Sequence, residues 1–296
     1  MSDTRTLKPK PLYMKFSCSS YLLLAAGADT IEKMAELAAK TGYSGIQIEC
    51  PDNNLIAPET FSFRKSAEIV RAAAELDIEI HCLNADIFNG KVPLAQKPAV
   101  ALLKKYVSIA HSLACPLVSF SPPVLDISED FAGQYEKLIK ILRPVSEFAA
   151  ELDICLAIRP AEKTLTENID ETIDLADDSE CKNIGVVYCP EIYTKLKKEK
   201  KETPDQVLRM TKGYLVLVQM EKIPQNAETI KKIIGSGFQE YLCDCSSVQK
   251  GDVQRKLKEN VKLLKKILAE PVEKPKENTG FFIEVSEKSE ESRKVF

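Results

Sequence analysis

The hexapeptide Ala-Ala-Glu-Leu-Asp-Ile occurs twice, at Ala73–Ile78 and at Ala149–Ile154, an offset of 149 − 73 = 76 residues. Each copy sits where a helical pattern gives way to an apolar, β-rich run. The first leads into Glu79-Ile80-His81-Cys82-Leu83, the second into Cys155-Leu156-Ala157-Ile158-Arg159. A helix-to-strand junction repeated at that distance implies stacked βα units, two per offset. It also aligns two strands, so that their carboxyl ends, where such folds keep their chemistry, can be compared.

The rest of the chain keeps this rhythm. Strands are expected at Tyr13–Cys18, Gly45–Glu49, Ile78–Leu83, Leu117–Ser121, Ile154–Arg159, Ile184–Tyr188, Tyr214–Gln219 and Tyr241–Asp244. Between them, helical periodicity runs from a cap at Asp29 or Thr30 to Lys40, then over Phe61–Leu76, Gln96–Leu113, Ser128–Leu152, Asn168–Asp178, a Thr203-Pro204 start to Thr211, Ala227–Ile234 and Asp252–Leu268. About eight βα units are the number of a closed (β/α)8 TIM barrel, an α/β fold. The strands are short and apolar on both faces, as a sheet covered by helices requires. An open doubly wound sheet is the alternative, but Ser17–Asp29 carries no Gly-x-Gly-x-x-Gly phosphate turn. The expected division is a flexible arm over 1–11, one barrel over 12–269 and a charged tail over 270–296.

A net charge of −3, from 41 basic and 44 acidic residues, argues against a nucleic-acid surface as the main business. Nine Cys with no Cys-x-x-Cys read as reduced thiols in a cytoplasmic protein. Lys8, Lys10 and Lys15 before Tyr21-Leu22-Leu23-Leu24 loosely imitate a signal peptide, but Ser17, Cys18, Ser19 and Ser20 interrupt the apolar run and a strand is needed there. No stretch is apolar enough for a bilayer span. The tail alternates acid and base around one apolar island, Phe281-Phe282-Ile283. It is expected to be disordered, or to dock through that island on its own barrel or on a protein partner.

Several segments resemble the xylose isomerase-like barrels, which include sugar-phosphate isomerases and epimerases and the apurinic-site endonucleases. Gly42-Tyr43-Ser44-Gly45-Ile46-Gln47 is similar to the family's "GydGvE", and Leu156-Ala157-Ile158-Arg159-Pro160 to its "lalEp". Asn183–Ile192 resembles "nvglvlDpgH", Val216–Lys222 resembles "hvHlkD", and Gly237-Phe238…Tyr241-Leu242 resembles the last "gydGwl". The likeness spans about residues 13–268. It implies a barrel with a divalent metal held by Glu, Asp, His and Glu at the ends of the fifth to eighth strands. Here those positions read Arg159, Cys189, Gln219 and Cys245, or Asp244 if the register slips by one. The motif's other His is Ile192, and the second-strand Glu is Gln47. A hard dication wants oxygen ligands, and a guanidinium stays protonated, so no metal and no cofactor is expected. The endonuclease branch resembles a His-rich multi-zinc site, whereas this chain has only His81 and a helix-surface His111. A soft site joining Cys189, Cys245 and His81 is the fallback, set against plain structural thiols.

Arg159 is the sharpest residue. From the repeated Ile78 and Ile154, His81 lies at +3 and Arg159 at +5, so both side chains are expected on one face. One reading makes Arg159 an ion pair with Glu162, Glu191 or Asp244. The other makes it an anion site that replaces the metal's charge, aided by the Lys195–Lys201 run. The candidate catalytic residues are His81, Arg159, Glu162 and Asp244, and the candidate ligand-binding residues are Glu49, Asn84, Cys189, Glu191, Gln219 and Lys222. The expected function is a non-catalytic homologue binding a small anion, a sugar or a partner. The alternative is a metal-independent isomerase or epimerase of a phosphorylated or acidic sugar, with Arg159 on the enediolate oxygen.

Overall fold

The computed structural model describes residues 14–50, 55–88, 96–195, 203–247 and 252–270. The arm, the tail with its aromatic island and most of the Lys195–Lys201 run lie outside the described residues. Eight parallel strands form the sheet: β1 (Lys15–Ser19), β2 (Gly45–Glu49), β3 (Glu79–Asn84), β4 (Leu117–Phe120), β5 (Cys155–Ile158), β6 (Ile184–Tyr188), β7 (Leu215–Met220) and β8 (Tyr241–Asp244). They pair in chain order, and β1 pairs β8 from Lys15↔Tyr241 to Cys18↔Asp244, so the sheet is a closed barrel and the open-sheet alternative falls. Among the described residues no helix is long and apolar enough to cross a membrane.

The helices are α1 (Ser20–Ala25), α2 (Ile31–Thr41), α3 (Phe63–Glu75), α4 (Gln96–Ser112), α5 (Phe131–Ala150), α6 (Ile169–Asp178), α7 (Pro190–Lys195), α8 (Pro204–Met210), α9 (Ala227–Gly235) and α10 (Val253–Ala269). The expected elements are all present, with ends displaced by a few residues. Sequence periodicity missed α1, α7 and a 3₁₀ turn at Ile223–Asn226, because one or two turns are too short to show a period. In α1 the segment that imitates a signal peptide is capped by Ser19 and buries Leu22 and Leu23 in the core. The helix opening at Thr203 carries a capping box, with Gln206 answering the Thr203 side chain.

The repeated hexapeptide is one backbone device used twice. In both copies the Asp takes a left-handed conformation, φ 55° at Asp77 and at Asp153. The following Ile N–H then reaches back to the first Ala carbonyl, Ile78 to Ala73 at 3.0 Å and Ile154 to Ala149 at 2.9 Å. This closes the helix end and aims the chain into the strand. The same turn recurs without the sequence: Gly42 (φ 94°) sends Tyr43 N–H to Ala38 O at 3.0 Å, and Ala114 (φ 51°) sends Cys115 N–H to Ala110 O at 2.9 Å. Four successive helix-to-strand junctions, into β2, β3, β4 and β5, therefore share one geometry.

Asp tolerates the left-handed region through its short polar side chain, whereas Ala gains nothing there and carries the Cβ clash. Ala114 is exposed, so nothing else holds it. Ala114→Gly is expected to stabilise the protein by about 1 kcal/mol, while Asp77→Gly and Asp153→Gly should gain less. Urea denaturation of the three variants checks the ranking.

Candidate functional site

The two ends of the barrel differ chemically. At the amino-terminal floor, Tyr241 stacks on His81 with ring centroids 4.2 Å apart, and its hydroxyl donates to Glu79 Oε2 at 2.7 Å. Lys15 caps the cluster, 5.3 Å above the Tyr241 ring and 2.5 Å from Glu79. Only Gly fits at position 45, because a Cβ there would lie 2.7 Å from the Tyr241 ring. Register shifts opposite His81: Ile46 pairs Ile80, but Gln47 pairs Cys82. This bulge turns both His81 and Cys82 inward and defeats a parity count along β3. His81 is buried, with no partner for Nε2 among the described residues. Desolvation, with Lys15 nearby, pushes its pKa down to about 3.

Toward the carboxyl ends, a polar network is centred on Glu49, which ends β2 and is 5 % exposed. Its Oε1 accepts from Ser19 Oγ at 2.9 Å and Gln47 Nε2 at 2.6 Å, and its Oε2 accepts from Asn84 Nδ2 at 2.5 Å. Gln219 Nε2 donates to Gln47 Oε1 at 2.9 Å, and the Cys189 thiol lies 3.6 Å from Gln219 Oε1. On the other side Ser119 donates to Asn84 Oδ1 at 3.2 Å, and Cys82 to Ser119 at 3.2 Å. The strand-two carboxylate thus sits two residues beyond Gln47 and is bonded to it.

Arg159 follows β5 and reaches the mouth with its side chain 26 % exposed. Its guanidinium is paired with Asp86 and donates Nε–H to Ser121 Oγ at 3.0 Å. Asp86 is fixed in turn by the Ser121 N–H at 2.7 Å. Burial opposes the charge on Arg159, but Asp86 above all, then Cys189 and Glu49, more than offset it and raise its pKa. The ion-pair reading thus needs a correction in its partner, since Asp86, two residues past the end of β3, takes the place of Glu162, Glu191 or Asp244.

The geometry does not bring the four candidate catalytic residues together. His81 is on the floor and Arg159 at the mouth. Asp244 is fully buried but faces the helices, where Oδ2 accepts from Tyr43 OH at 2.6 Å and Asn260 Nδ2 at 2.7 Å. Strand alternation sends Cys243 and Cys245 inward and Asp244 outward. Glu162 is exposed on the rim. Of the ligand-binding candidates, Glu49, Asn84, Cys189 and Gln219 converge. Glu191 instead clasps the turn after β7: its Oε1 accepts from the N–H groups of Glu221 and Lys222 at 3.1 and 3.0 Å and from Asn226 Nδ2 at 2.5 Å. Lys222 is exposed and contributes only its backbone. Sequence reasoning missed Asp86, Ser19, Ser119 and Ser121, and the one available signal was their position at or just past strand ends.

At the four positions where the resemblance places a metal, the donors are a paired guanidinium, two thiols and a carboxamide. Burial pushes the Cys189 thiol up, and the Cys243 sulfur 3.7 Å away, followed by burial, does the same for Cys245, so both stay protonated near neutral pH. Among the described residues no three His, Cys, Asp or Glu side chains are placed to hold a metal ion. This donor set does not fit a hard dication.

A closed (β/α)8 barrel with a convergent polar cluster at its carboxyl ends is the architecture of enzyme-type TIM barrels. Residues 35–230 match the model of the xylose isomerase-like TIM barrel family, and the chain belongs to that family. No curated protein sequence matches the chain. Among solved structures it is similar to the D-psicose 3-epimerase of Clostridium cellulolyticum H10 determined with D-tagatose, at 14 % identity and TM-score 0.71, covering 86 % of this chain and 99 % of that one. It is similar to 3-keto-D-glucoside 4-epimerase from E. coli at 10 % identity and TM-score 0.68, covering 86 % and 99 %. It also resembles the IOLI protein solved with a bound zinc atom, at 14 % identity and TM-score 0.64, covering 86 % and 96 %. At these identities the likeness is one of fold.

Two expectations follow. Because His81 is held neutral, the unfolded chain binds one more proton than the folded one between its ordinary pKa near 6.5 and about 3. That contribution is complete above about pH 6.5 and is lost as pH falls, at up to about 1.4 kcal/mol per pH unit. His81→Phe, which can keep the stack on Tyr241, should flatten the stability difference between about pH 7 and about pH 5 in urea denaturation. Because Asp86 neutralises Arg159, phosphate should not raise the melting temperature of the wild-type protein, whereas Asp86→Ala should acquire a phosphate-dependent rise.

Proposed function

We propose that this chain is a sugar isomerase/epimerase-like barrel that has lost the family's hard-metal site and binds a small neutral polyhydroxyl ligand, such as a sugar, without transforming it. The observation that carries this reading is the pairing of Arg159 with Asp86 at the strand-five position where the resemblance calls for a metal-binding carboxylate. Among the described residues the Arg159 guanidinium is already paired with Asp86, which favours a neutral ligand over the phosphorylated one. Glu49, Asn84, Gln47 and Gln219 supply carboxylate and amide groups of the kind that hydrogen-bond hydroxyls.

A metal-independent epimerase would need an acid and a base on opposite sides of one carbon. With His81 on the floor, Asp244 turned outward and Glu162 on the rim, Glu49 is left without a partner for that work, and its oxygens are already engaged by three donors. Nine free thiols favour a reducing compartment, and we assign the protein to the cytoplasm.

The test is a panel of ketohexoses and aldoses with added Mn²⁺, with added Mg²⁺ and with EDTA. Epimerised or isomerised product should be absent in all three conditions, EDTA should leave the melting temperature unchanged, and at least one sugar should raise it. Turnover that depends on added Mn²⁺ would overturn the proposal, and so would a panel in which no sugar shifts the melting temperature.

A further inference from the structure

A second concavity, away from the mouth, has no part in the reading above. It is a groove of about 1160 Å³ among α8, α9, the end of α10 and the turns that enter β7 and β8, and so on the amino-terminal face. Its apolar lining comes from Leu208, Leu215, Phe238 and Ile267. Leu215 and Phe238 are only partly buried, packing on the core from one side. Most of its charges are already spent: Lys231 pairs Glu228 at 3.1 Å and Glu270 at 2.9 Å, and Lys232 pairs Asp205. Two cations remain. Lys212 has no ion-pair partner among the described residues, and Arg209 bonds only the Asp205 carbonyl, at 3.2 Å.

We propose that this groove is the seat of the chain's own carboxyl-terminal segment 281–291, with Phe281-Phe282-Ile283 against the apolar lining and the acidic stretch after it beside Arg209 and Lys212. Three observations converge on this occupant. The last described residue, Glu270, is itself part of the lining and is held there by Lys231, so the tail departs from the groove. The island begins 281 − 270 = 11 residues on, a span of at most roughly 35–40 Å when extended, and a tether that short gives the segment a high effective concentration at the groove. Charge matches locally: within 284–291, Glu284, Glu287, Glu290 and Glu291 stand against the single base Lys288, ahead of Arg293 and Lys294. A closed barrel offers no sheet edge, so the segment must be held by side chains and not by strand addition.

Amide hydrogen exchange on the full-length chain tests this. In Phe281→Ala/Phe282→Ala, exchange over 208–215 and 235–240 should rise by roughly tenfold, the local opening these segments would show once uncovered. Phe281→Leu/Phe282→Leu should keep most of the protection, and Arg209→Glu/Lys212→Glu should lose part of it over the same segments. Unchanged exchange in the Ala variant would overturn the proposal. So would a change confined to 45–49, 84–86 and 119–121, which puts the island in the mouth, or protection that fades on dilution, which makes the occupant a second copy. None of these readouts depends on sugar binding, so the mouth assignment and this one fail separately.

Discussion

A closed barrel has no free sheet edge and a packed interior, so most inward polar atoms must be answered by groups on its own strands. A buried donor or acceptor left alone costs about 1–3 kcal/mol, and an ionised carboxylate more. Glu49 is where that constraint is most severe. It is satisfied by Ser19 from β1, Gln47 from its own strand and Asn84 from β3, and the network continues to Gln219 on β7 and Ser119 on β4. One carboxylate therefore ties together the register of five strands. A one-residue slip of β1 or β3 would turn its contributor outward and leave Glu49 short of a donor, and a slip of β4 or β7 would strip a partner from Asn84 or Gln47.

The same rule explains the opposite end. On the floor the Glu79 carboxylate is answered by Tyr241 and Lys15, and the buried imidazole is kept neutral by desolvation and by Lys15. The bulge that brings His81 inward also gives Tyr241 a flat partner, and Gly45 leaves room for the ring. The close fit of this layer makes it a plug, in keeping with the general division of such barrels into a stabilising bottom and a working top.

How much of this could be read from the chain differs by element. The repeated Ala-Ala-Glu-Leu-Asp-Ile was legible because its Asp fills a backbone position that few residues tolerate, and the βα rhythm followed from it. The two further copies of the turn, at Gly42 and Ala114, were invisible because the geometry is set by hydrogen bonds that unlike sequences can make. Strand ends drew attention to Glu49, Asn84, Cys189, Gln219 and Arg159, which the fold gathers at the carboxyl ends of the strands. Parity placed Arg159 and His81 on one face, the barrel interior, but a shared face says nothing of height: His81 is the third residue of β3, whereas Arg159 lies past the end of β5. Asp244 needed only the strand register, which an uncertainty of one residue was enough to hide. Asp86 lies beyond its strand, where the route of the chain depends on tertiary contacts.

The substitutions at the strand ends also make physical sense as a set. Several carboxylates converging in a low-dielectric mouth repel one another, and a dication is what ordinarily makes such a cluster tolerable. Replacing them singly would leave an unbalanced site. Here the changes cancel: Cys189 and Cys245 stay protonated, Gln219 is neutral and doubly hydrogen-bonded, and the positive charge of Arg159 meets Asp86. Glu49, the carboxylate at the centre, has three donors in place of a cation. Among the described residues the polar groups at these strand ends are therefore answered largely by one another. The lone pairs left over on Glu49, Gln47 and Gln219 are of the kind that meet hydroxyl groups, which is the chemistry the proposed ligand calls for.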